Sequence, residues 1–467
     1  MSGEIIPRGC VTTLTIIFLA ALIDGLDASI VTVALPTMSS GFGASVSDGS
    51  WLIFAYVLGL AAFLLPLGKM AKNKRMRSFM LLGTALFGIS SVACGLSESF
   101  HLLIVFRLIQ GISAAMMSCV LPSMIVHMLP VDRKGLGVSI MGASSGLALI
   151  LGPVIGGFIV SHLTWHWLFF INVPFCLIII ALSLNHIPKE NDRDKEKDPT
   201  LIGGVSAMVL IGSLLTIMED LGDPDINTKG RVICAVLIAI SLPVLIWSIR
   251  KDRHRAIIAP AMIMNREYLL VGASFLLCTI VVAGAQYLLP YVLQDYWGMT
   301  PMESSLYLSL ISVAMMLTVL PVGRMCDRFG CKYPAAIAVT LRSLFCIGMI
   351  LIAAFNRNYL LMIPVLIIFG MSHAFSGTAQ PTRMIHHSTP GYEDESTNLM
   401  LMINYLASAL GCVLFAIIYG FVTNGNAAEA KDLIMDGFVA NMWFSLAILF
   451  IAMVCTMAVK NKIVKKE

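Results

Sequence analysis

Two acidic residues, Asp24 and Asp27, stand inside the first long apolar run of the sequence. A charged side chain at the centre of a bilayer costs at least ~2.5–3.5 kcal/mol on insertion scales, so these acids are functional candidates by default. A spacing of three residues places them on nearly the same face of a helix. Two carboxyl groups one turn apart can share protons and bind a cation, because burial and mutual repulsion both favour protonation. We therefore expect both side chains to lie beside a central opening in the protein.

Only two basic residues, Arg107 and Arg342, lie in the interior of the apolar runs that we assign below, away from their ends. A buried guanidinium needs either a counter-charge or backbone carbonyl groups as partners. One of the two acids can therefore serve only to neutralise a buried arginine, and this alternative to a role in proton transfer stays open. We interpret Arg342 as a structural tie between helices. His373, in a later run, can titrate near neutral pH, although a lone histidine in a packed bundle more often only forms hydrogen bonds.

The composition defines the class of protein. Of the 467 residues, 58% are hydrophobic and 12% are charged, against roughly 45–50% and about 25% in soluble domains. A mean hydropathy of +0.87 leaves no room for a large soluble domain, so the chain is predicted to be an integral membrane protein. A formal net charge of +4 gives no reason to expect nucleic acid as a partner. We find no Walker A loop and no credible set of catalytic residues, and therefore expect neither direct use of ATP nor an enzyme.

The chain divides into fourteen apolar segments, each close to the ~20 residues that a membrane-spanning helix requires. The first has no convincing cleavage site and is interpreted as a retained span. Eleven cysteines are scattered without a C-x-x-C pair, so we expect no disulfide framework, no metal site and no cofactor. The predicted spans are approximately 12–35, 49–69, 77–96, 101–125, 136–160, 165–186, 200–220, 230–250, 267–292, 303–323, 332–355, 359–381, 397–421 and 436–459.

The distribution of Lys and Arg in the loops predicts the orientation. An even number of spans puts both ends of the chain on one side of the membrane. With both ends inside the cell, 25 of the 31 Lys and Arg residues fall in cytoplasmic segments, while Lys229, Arg231, Arg357 and Lys431 fall outside. This bias follows the positive-inside rule. It predicts a multi-pass protein of the cell membrane with both termini in the cytoplasm.

An internal repeat predicts the architecture. The second span ends in "LPLGKM" (65–70) and the tenth ends in "LPVGRM" (320–325), 255 residues further on. If spans 9 to 14 repeat spans 1 to 6, the chain comprises a six-helix half at 1–188, a linker with two inserted helices at 189–255, and a second half at 256–467. Two similar helical bundles around a central binding cavity are the architecture of alternating-access transporters.

Several short motifs resemble one known family. The stretch "GLALILGPVIGGFI" (146–159) lies in the fifth span, "LDASIVTVALP" (26–36) in the first and "RLIQG" (107–111) in the fourth, and "WHWLFFINVPF" (165–175) opens the sixth. Together they resemble the major facilitator superfamily, and within it the fourteen-span drug:proton antiporters. The resemblance implies an all-α fold of two six-helix bundles plus two inserted helices. In the fifth span it is carried by Gly146, Gly152, Pro153, Gly156 and Gly157.

The fifth-span motif has a physical rationale. Missing side chains allow the helix to pack closely on its neighbours, and the proline is expected to bend it where the two halves pivot. In the family, this helix is thought to seal the cavity so that transport occurs by exchange. A plain packing seam of small residues is the alternative. The resemblance further implies that Asp27 occupies the acidic position of the first span and that Arg107 takes part in proton transfer, whereas Asp24 is additional to the signature.

The loop after the second span departs from the family pattern. The first copy, "GKMAKNKRMR" (68–77), keeps Gly68 but has Lys72 in place of an aspartate and Arg75 in place of a glycine. In relatives that aspartate helps to hold one conformation, so the coupling or gating is expected to differ here. The second copy, "GRMCDRFGCK" (323–332), keeps the expected Gly323, Asp327, Arg328, Gly330 and Lys332.

These observations predict a proton-coupled exporter of small hydrophobic or cationic compounds. Protonation of Asp27, together with Asp24, is expected to alternate with substrate binding, while Arg107 tunes the proton affinity. Gln110 and Gln286 are candidates for the lining of the cavity. The expected partners are a small-molecule substrate, protons and the lipid bilayer, and the protein is expected to be a monomer. A uniporter or symporter of the same fold and a non-transporting membrane sensor remain as alternatives.

Overall fold

The chain folds almost entirely into α-helices. The computed structural model describes residues 8–71, 76–130, 133–188, 228–251, 265–356, 359–388, 393–423 and 431–461, together with short pieces between 205 and 217. Its helices are α1 (Arg8–Gly41), α2 (Val46–Ala71), α3 (Met76–Gly95), α4 (Phe100–Ser118), α5 (Val120–Met128), α6 (Lys134–His162), α7 (Trp167–Phe170), α8 (Asn172–His186), α9 (Thr228–Lys251), α10 (Arg266–Tyr291), α11 (Pro301–Phe329), α12 (Lys332–Leu351), α13 (Met362–His386), α14 (Glu393–Thr423) and α15 (Lys431–Ala458).

The predicted membrane helices are confirmed in kind but not in their exact number. Within the described residues, twelve helical stretches are long and apolar enough to cross a bilayer, and the apolar part of α2, Asp48–Leu64, is a shorter one. These account for every predicted span except the seventh, 200–220, most of which lies outside the described residues. The all-helical membrane fold is therefore established, whereas the count of fourteen stays a prediction.

The two six-helix sets pack in the same pattern. In the first set α1 contacts α6 and α8, α2 contacts α4, and α3 contacts α4 and α8. In the second set α10 contacts α14 and α15, α11 contacts α13, and α12 contacts α13 and α15. The sets, hereafter the N-terminal half (α1–α8, in which α4 with α5 and α7 with α8 each form one span) and the C-terminal half (α10–α15), meet along two seams, α2 with α14 and α6 with α11. This pairing is what a repeat of spans 1 to 6 by spans 9 to 14 requires.

The surface of the bundle is apolar. Leu317, Phe355 and Phe450 are 74%, 81% and 71% exposed, and the outward faces of most helices carry similar side chains. Apolar patches of this extent are not stable against water and are typical of surfaces that contact lipid. Helix α9 is the extreme case, because only 6% of its apolar window, Gly230–Trp247, is buried.

The predicted fourth span, 101–125, consists of two helices. The turn at Cys119 separates α4 from α5, and the proline three residues later explains the break. Pro122 has no N–H to donate to the carbonyl of Ser118, so the regular ladder of helical hydrogen bonds is interrupted there. The polar side chain of Ser118 lies at this interruption.

Candidate functional site

A polar network fills the core of the N-terminal half around Asp27. Its carboxylate accepts hydrogen bonds from Arg107 Nη1 at 2.5 Å, Gln110 Nε2 at 2.9 Å and Asn172 Nδ2 at 2.8 Å. Gln110 also donates to Ser91 Oγ at 2.8 Å. The network thus joins α1, α3, α4 and α8. Because the carboxylate has a charged partner and two amide donors, its negative charge is compensated without water.

Close backbone packing brings Arg107 into this network. A Cβ atom at Gly111, one turn further along α4, would overlap the carbonyl oxygen of Tyr56 on α2. The absence of a side chain there allows α4 to approach α2, and Arg107 Nε donates to the carbonyl of Leu52 at 2.9 Å. The guanidinium carbon lies 4.4 Å from the centroid of the Tyr56 ring, in a cation–π contact. The "RLIQG" motif therefore supplies both the cation and the space that it requires.

The position of Asp27 differs from the expectation of a carboxylate beside an opening. Asp27 and Arg107 are each 1% exposed, and Gln110, a candidate for the cavity lining, is fully buried. The reason is electrostatic: a buried guanidinium on α4 requires a carboxylate at ion-pair distance, and the face of α1 that carries Asp27 lies against α4 and α8. The alternative in which one acid neutralises a buried arginine therefore describes the geometry of Asp27.

Asp24 has different surroundings. It is partly exposed, and its two carboxylate oxygens accept hydrogen bonds from Tyr56 Oη at 2.5 Å and from Ser118 Oγ at 3.1 Å. No Lys or Arg of the described residues lies within ion-pair distance of it. Tyr405 of α14, in the C-terminal half, packs against the same apolar cluster that contains Tyr56. Within the described part of the chain, Asp24 is thus an acid without a basic partner, next to the seam between α2 and α14.

Tyr56 connects the two acids. Its hydroxyl group donates to Asp24, while its ring packs on the guanidinium that pairs with Asp27. The Tyr56 side chain therefore links Asp24 to the Asp27–Arg107 pair, and a change of charge at Asp24 acts on it directly. The chain of contacts is physically continuous, which is a condition for coupling between two sites.

The glycines of the fifth-span motif pack α6 against two different helices. A Cβ atom at Gly152 would overlap Ser29 on α1, and one at Gly156 would lie 3.0 Å from the Ile30 carbonyl oxygen. One at Gly157 would overlap Ser305 on α11, in the other half. Gly146 has no neighbouring atom within 4 Å of such a Cβ. The motif therefore serves packing within the N-terminal half and also the seam between the halves.

A hydrogen bond next to Pro153 crosses the seam between α6 and α11. The helix α6 continues through this residue, but the proline lacks the N–H that would bind the carbonyl of Leu149. Ser312 Oγ of α11 donates to that carbonyl at 2.6 Å. The acceptor left free by the proline in one half is thus satisfied by a hydroxyl group of the other half. The expected pivot at Pro153 and this cross-link lie at the same place.

A cleft of about 140 Å³ with both apolar and polar walls lies beside this contact. Its walls come from α1, α6, α10 and α11, and they include Ser29, Thr32, Pro153, Gln286 and Ser312. Gln286 is therefore placed at an opening between the halves, whereas Gln110 is not.

Further hydrogen bonds join the halves near the predicted extracellular end of the bundle. Ser39 Oγ and Tyr291 Oη are 3.0 Å apart, and Gln294 Nε2 donates to the carbonyl of Val33 at 3.0 Å. The hydroxyl group of Tyr287 donates to the carbonyl of Val46. Together with the contact of Gly157, these bonds hold the halves together at the end where α1 stops and α2 begins.

The second loop motif is held by the chain that follows α15. Gly330 ends α11 with a φ of 78°, a left-handed conformation that favours glycine. Asn461 Nδ2 donates to the carbonyl of Phe329 at 2.9 Å, and Asn461 Oδ1 accepts from the Lys332 N–H at 3.3 Å. The guanidinium of Arg328 packs over the Phe329 ring.

The remaining loop-motif residues are less informative. A Cβ atom added at Gly323 would have no neighbouring atom within 4 Å. Gly68 and Asp327 lie in the backbones of α2 and α11. Lys72 and Arg75, where the chain departs from the family pattern, lie outside the described residues.

Sequence reasoning missed four members of the N-terminal network: Tyr56, Ser91, Ser118 and Asn172. Asn172 carried a usable signal, since an amide in the apolar stretch "FFINVPF" must find a partner inside a bundle. The hydroxyl residues carried none, because Ser and Tyr in membrane helices commonly bond only to their own helix or face the membrane surface.

The fold and the buried polar networks define a polytopic membrane protein built from two related six-helix halves. Residues 17–412 match the Major Facilitator Superfamily, and the chain belongs to this family of transporters.

Three relatives show the range of the family around this chain. The riboflavin transporter RibZ of Clostridioides difficile is 24% identical over 96% of this chain and 97% of its own length. The multidrug efflux pump SdrM of Staphylococcus aureus is 25% identical over 88% of this chain and 90% of its own length. The multidrug export protein EmrB of Escherichia coli is 26% identical over 67% of this chain, which spans 61% of EmrB.

The fold also resembles solved structures. A bacterial homologue of the human lysosomal transporter Spinster, in an inward-facing and unoccupied conformation, superposes with a TM-score of 0.68 at 14% identity. The match covers 97% of each chain. At this identity the likeness shows the fold alone.

Proposed function

We propose that the protein is a proton-coupled exporter of small hydrophobic or cationic compounds, which exchanges substrate for protons by alternating access of its two halves. The relatives SdrM and EmrB, named for multidrug efflux and export, support export of such compounds. Two related helical bundles that meet along two seams support the rocking movement.

The observation that carries the proposal is the environment of Asp24. A carboxylate held only by two hydroxyl donors can gain a proton without leaving a buried cation uncompensated. When ionised, it offers a negative charge at the boundary between the halves, where a cationic substrate can bind. Protons and cations then compete for one carboxylate, which is the simplest chemical basis of exchange.

The Asp27–Arg107 pair has a different part in this proposal. It fixes α1 against α4 and places the Tyr56 ring, so it positions the residue that donates to Asp24. Protonation of Asp24 breaks the charge-assisted bond from Tyr56 and thereby alters the packing next to Arg107. Asp27 and Arg107 are thus positioning residues for the proton step, and Asp24 is the group that exchanges.

The proposal is tested by imposing a pH gradient on purified protein in vesicles. We expect vesicles that are acidic inside to accumulate ethidium, a cationic dye, and a protonophore to abolish the uptake. The substitution Asp24→Asn should remove at least nine tenths of this uptake, because the amide cannot exchange protons. Asp48→Asn is the matched control, since Asp48 caps the first turn of α2 at the predicted extracellular end. Full uptake by the Asp24→Asn protein would reject the role of Asp24.

A second candidate function follows from RibZ, which overlaps this chain almost completely and is named as a riboflavin transporter. In that case the substrate is a neutral aromatic compound, and the direction of movement is not fixed by the fold. Riboflavin transport in the same vesicles, with and without the pH gradient, distinguishes the two. Riboflavin flux that is independent of the gradient, together with absence of ethidium flux, would favour this candidate.

A further inference from the structure

A second cavity, of about 220 Å³ and with both apolar and polar walls, lies within the C-terminal half. Its walls come from α10, α12, α13 and α14. The apolar part consists chiefly of Phe275, Val282, Met400 and Leu401, and the polar part of Thr279, Arg342, His373, Ser376 and Asn404. The volume is below the ~300–1,000 Å³ of a complete small-molecule site and suits one chemical group of a larger ligand.

Arg342 brings an uncompensated positive charge to this cavity. The residue is fully buried, and its Nη1 and Nη2 donate to the carbonyls of Cys278 at 2.9 Å and Ser372 at 3.3 Å. Its Nε has no hydrogen-bond acceptor. In the described part of the chain, no carboxylate pairs with this arginine. The two carbonyls tie α10 and α13 to α12, as expected of a structural residue, but they do not neutralise the charge.

The polar side chains in front of Arg342 are unengaged. Among the described residues, the side chains of Thr279, His373, Ser376 and Asn404 have no hydrogen-bond partner, although all four can donate. No acidic residue is part of the cavity wall. A buried positive charge behind a set of free donors attracts an anion and repels a cation.

We propose that this cavity is a binding subsite for an anionic oxygen group, such as a carboxylate, carried by a compound with an apolar body. The inference rests on the proposed transport function, since it extends the substrate class to amphiphilic organic anions. The anion accepts hydrogen bonds from Asn404 and the hydroxyl groups, and Arg342 supplies the compensating charge. The apolar body packs on Phe275 and Met400.

The subsite also gives the two halves opposite electrostatic character. Asp24 in the N-terminal half favours cations, and Arg342 in the C-terminal half favours anions. Under this proposal each half selects a different group of one substrate.

The test uses three probes with the same naphthalene body and different heads: 2-naphthoate, 2-naphthamide and 2-naphthamidine. Binding to the purified full-length protein in lipid nanodiscs is measured by calorimetry. We expect naphthoate to bind at least about tenfold more tightly than the neutral amide, the size of one charge-assisted hydrogen bond. Equal affinities, or no binding of naphthoate at millimolar concentration, would overturn the proposal.

Variants locate the site. Arg342→Gln should abolish the preference for naphthoate over naphthamide, and Asn404→Leu, at a partly exposed position, should reduce it several-fold. Arg383→Gln is the matched control. Arg383, on α13, is also a buried arginine that donates to a helix carbonyl, but it is not part of the cavity wall. A preference that survives both Arg342→Gln and Asn404→Leu in folded protein would reject this location.

Failure of this proposal is distinguishable from failure of the proposed function. Binding of naphthamidine that is lost in Asp24→Asn reports the cation site of the N-terminal half, and ethidium uptake reports proton coupling. Either of these can succeed while the naphthoate preference is absent, and the naphthoate preference can be present without any proton-driven uptake.

Discussion

The stability of the fold depends strongly on the ion pair between Asp27 and Arg107. Both groups are almost fully buried, so removal of one leaves the other charged and unpaired in a low-dielectric interior. We expect Asp27→Asn to lower the free energy of unfolding by ~3–5 kcal/mol, and the double variant Asp27→Asn with Arg107→Gln to recover much of that loss. Chemical unfolding of the protein in nanodiscs measures both.

The matched comparison at the residue scale is Asp24→Asn. Asp24 has no basic partner among the described residues, so its neutral amide should change the free energy of unfolding by less than ~1 kcal/mol. An Asp27→Asn protein as stable as Asp24→Asn would contradict the buried pair. The two acids, three residues apart, are thus expected to separate function from stability.

The sequence showed which charged residues lie deep in the predicted membrane spans, but it did not show which of them pair with each other. Asp27 and Arg107 were identifiable because charges in apolar runs are rare and costly. That they pair with each other, leaving Asp24 unpaired, depends on the rotation of α1 against α4. The close approach of α4 to α2 at Gly111 and the hydrogen bond from Asn172 to Asp27 both involve residues that lie far from Asp27 along the chain.

At the scale of elements, the seam between α6 and α11 is tightest at Gly157. A Cβ atom there would overlap Ser305 and lie 2.8 Å from the Pro301 carbonyl oxygen, so Gly157→Ala must move the helices apart. Overpacking of this kind costs ~1–3 kcal/mol, and the cost falls only on the conformation that is closed at the predicted extracellular end. We expect the variant to populate the open form, seen as longer distances between spin labels at Leu163 and Leu306.

Gly146→Ala is the control for this prediction, because it adds the same methyl group to the same helix where no atom lies within 4 Å. Its label distances should match those of the unsubstituted protein. Equal distances in both variants would show that Gly157 does not hold the seam.

Ser312 tests the same seam through a hydrogen bond. Ser312→Ala leaves the Leu149 carbonyl without the donor that replaces the missing N–H of Pro153. Loss of a hydrogen bond at this partly buried contact costs ~0.5–1.5 kcal/mol. We expect this variant also to lengthen the distance between the labels. Ser309→Ala, which removes a hydroxyl bonded within α11, should leave the distance unchanged.

Element boundaries were predictable where hydrophobicity alone decides them. The apolar runs coincide with helices because a segment inside a bilayer must satisfy its own backbone hydrogen bonds, and an α-helix does so. The break at Cys119 was missed, since Pro122 lies within an uninterrupted apolar run and only the lost hydrogen bond distinguishes it. The hydrogen bond from Ser312 to the Leu149 carbonyl could not be predicted from the sequence either, because Ser312 belongs to the other half of the protein.

At the scale of the molecule, the two halves run in the same direction through the membrane. The end of α10 and its continuation meet the end of α1, through Tyr291 with Ser39 and Gln294 with Val33. The start of α10 therefore lies on the same side as the start of α1. The end of α8 lies on that side as well, because His186 is 2.9 Å from the Thr13 hydroxyl group near the start of α1.

This geometry constrains the chain between the halves. A segment that leaves α8 and enters α10 on one side of the membrane must cross it an even number of times. Helix α9 is long and apolar enough for one crossing, so one more is required. The apolar stretch 200–220, predicted as the seventh span from its composition, has the right length for it. We therefore expect fourteen spans, with residues 221–227 outside the cell.

Insertion of a split fluorescent-protein tag, which is completed only in the cytoplasm, tests this topology. Tags placed after residue 188 and after residue 467 should both fluoresce in intact cells, whereas tags within 42–45 and within 222–226 should not. The tag within 42–45 is the control, since α1 and α2 meet there at the predicted extracellular end. Fluorescence at 222–226 would mean that 200–220 does not cross the membrane. In that case α9 could not cross it either, because α10 would otherwise start on the wrong side to pair with α1.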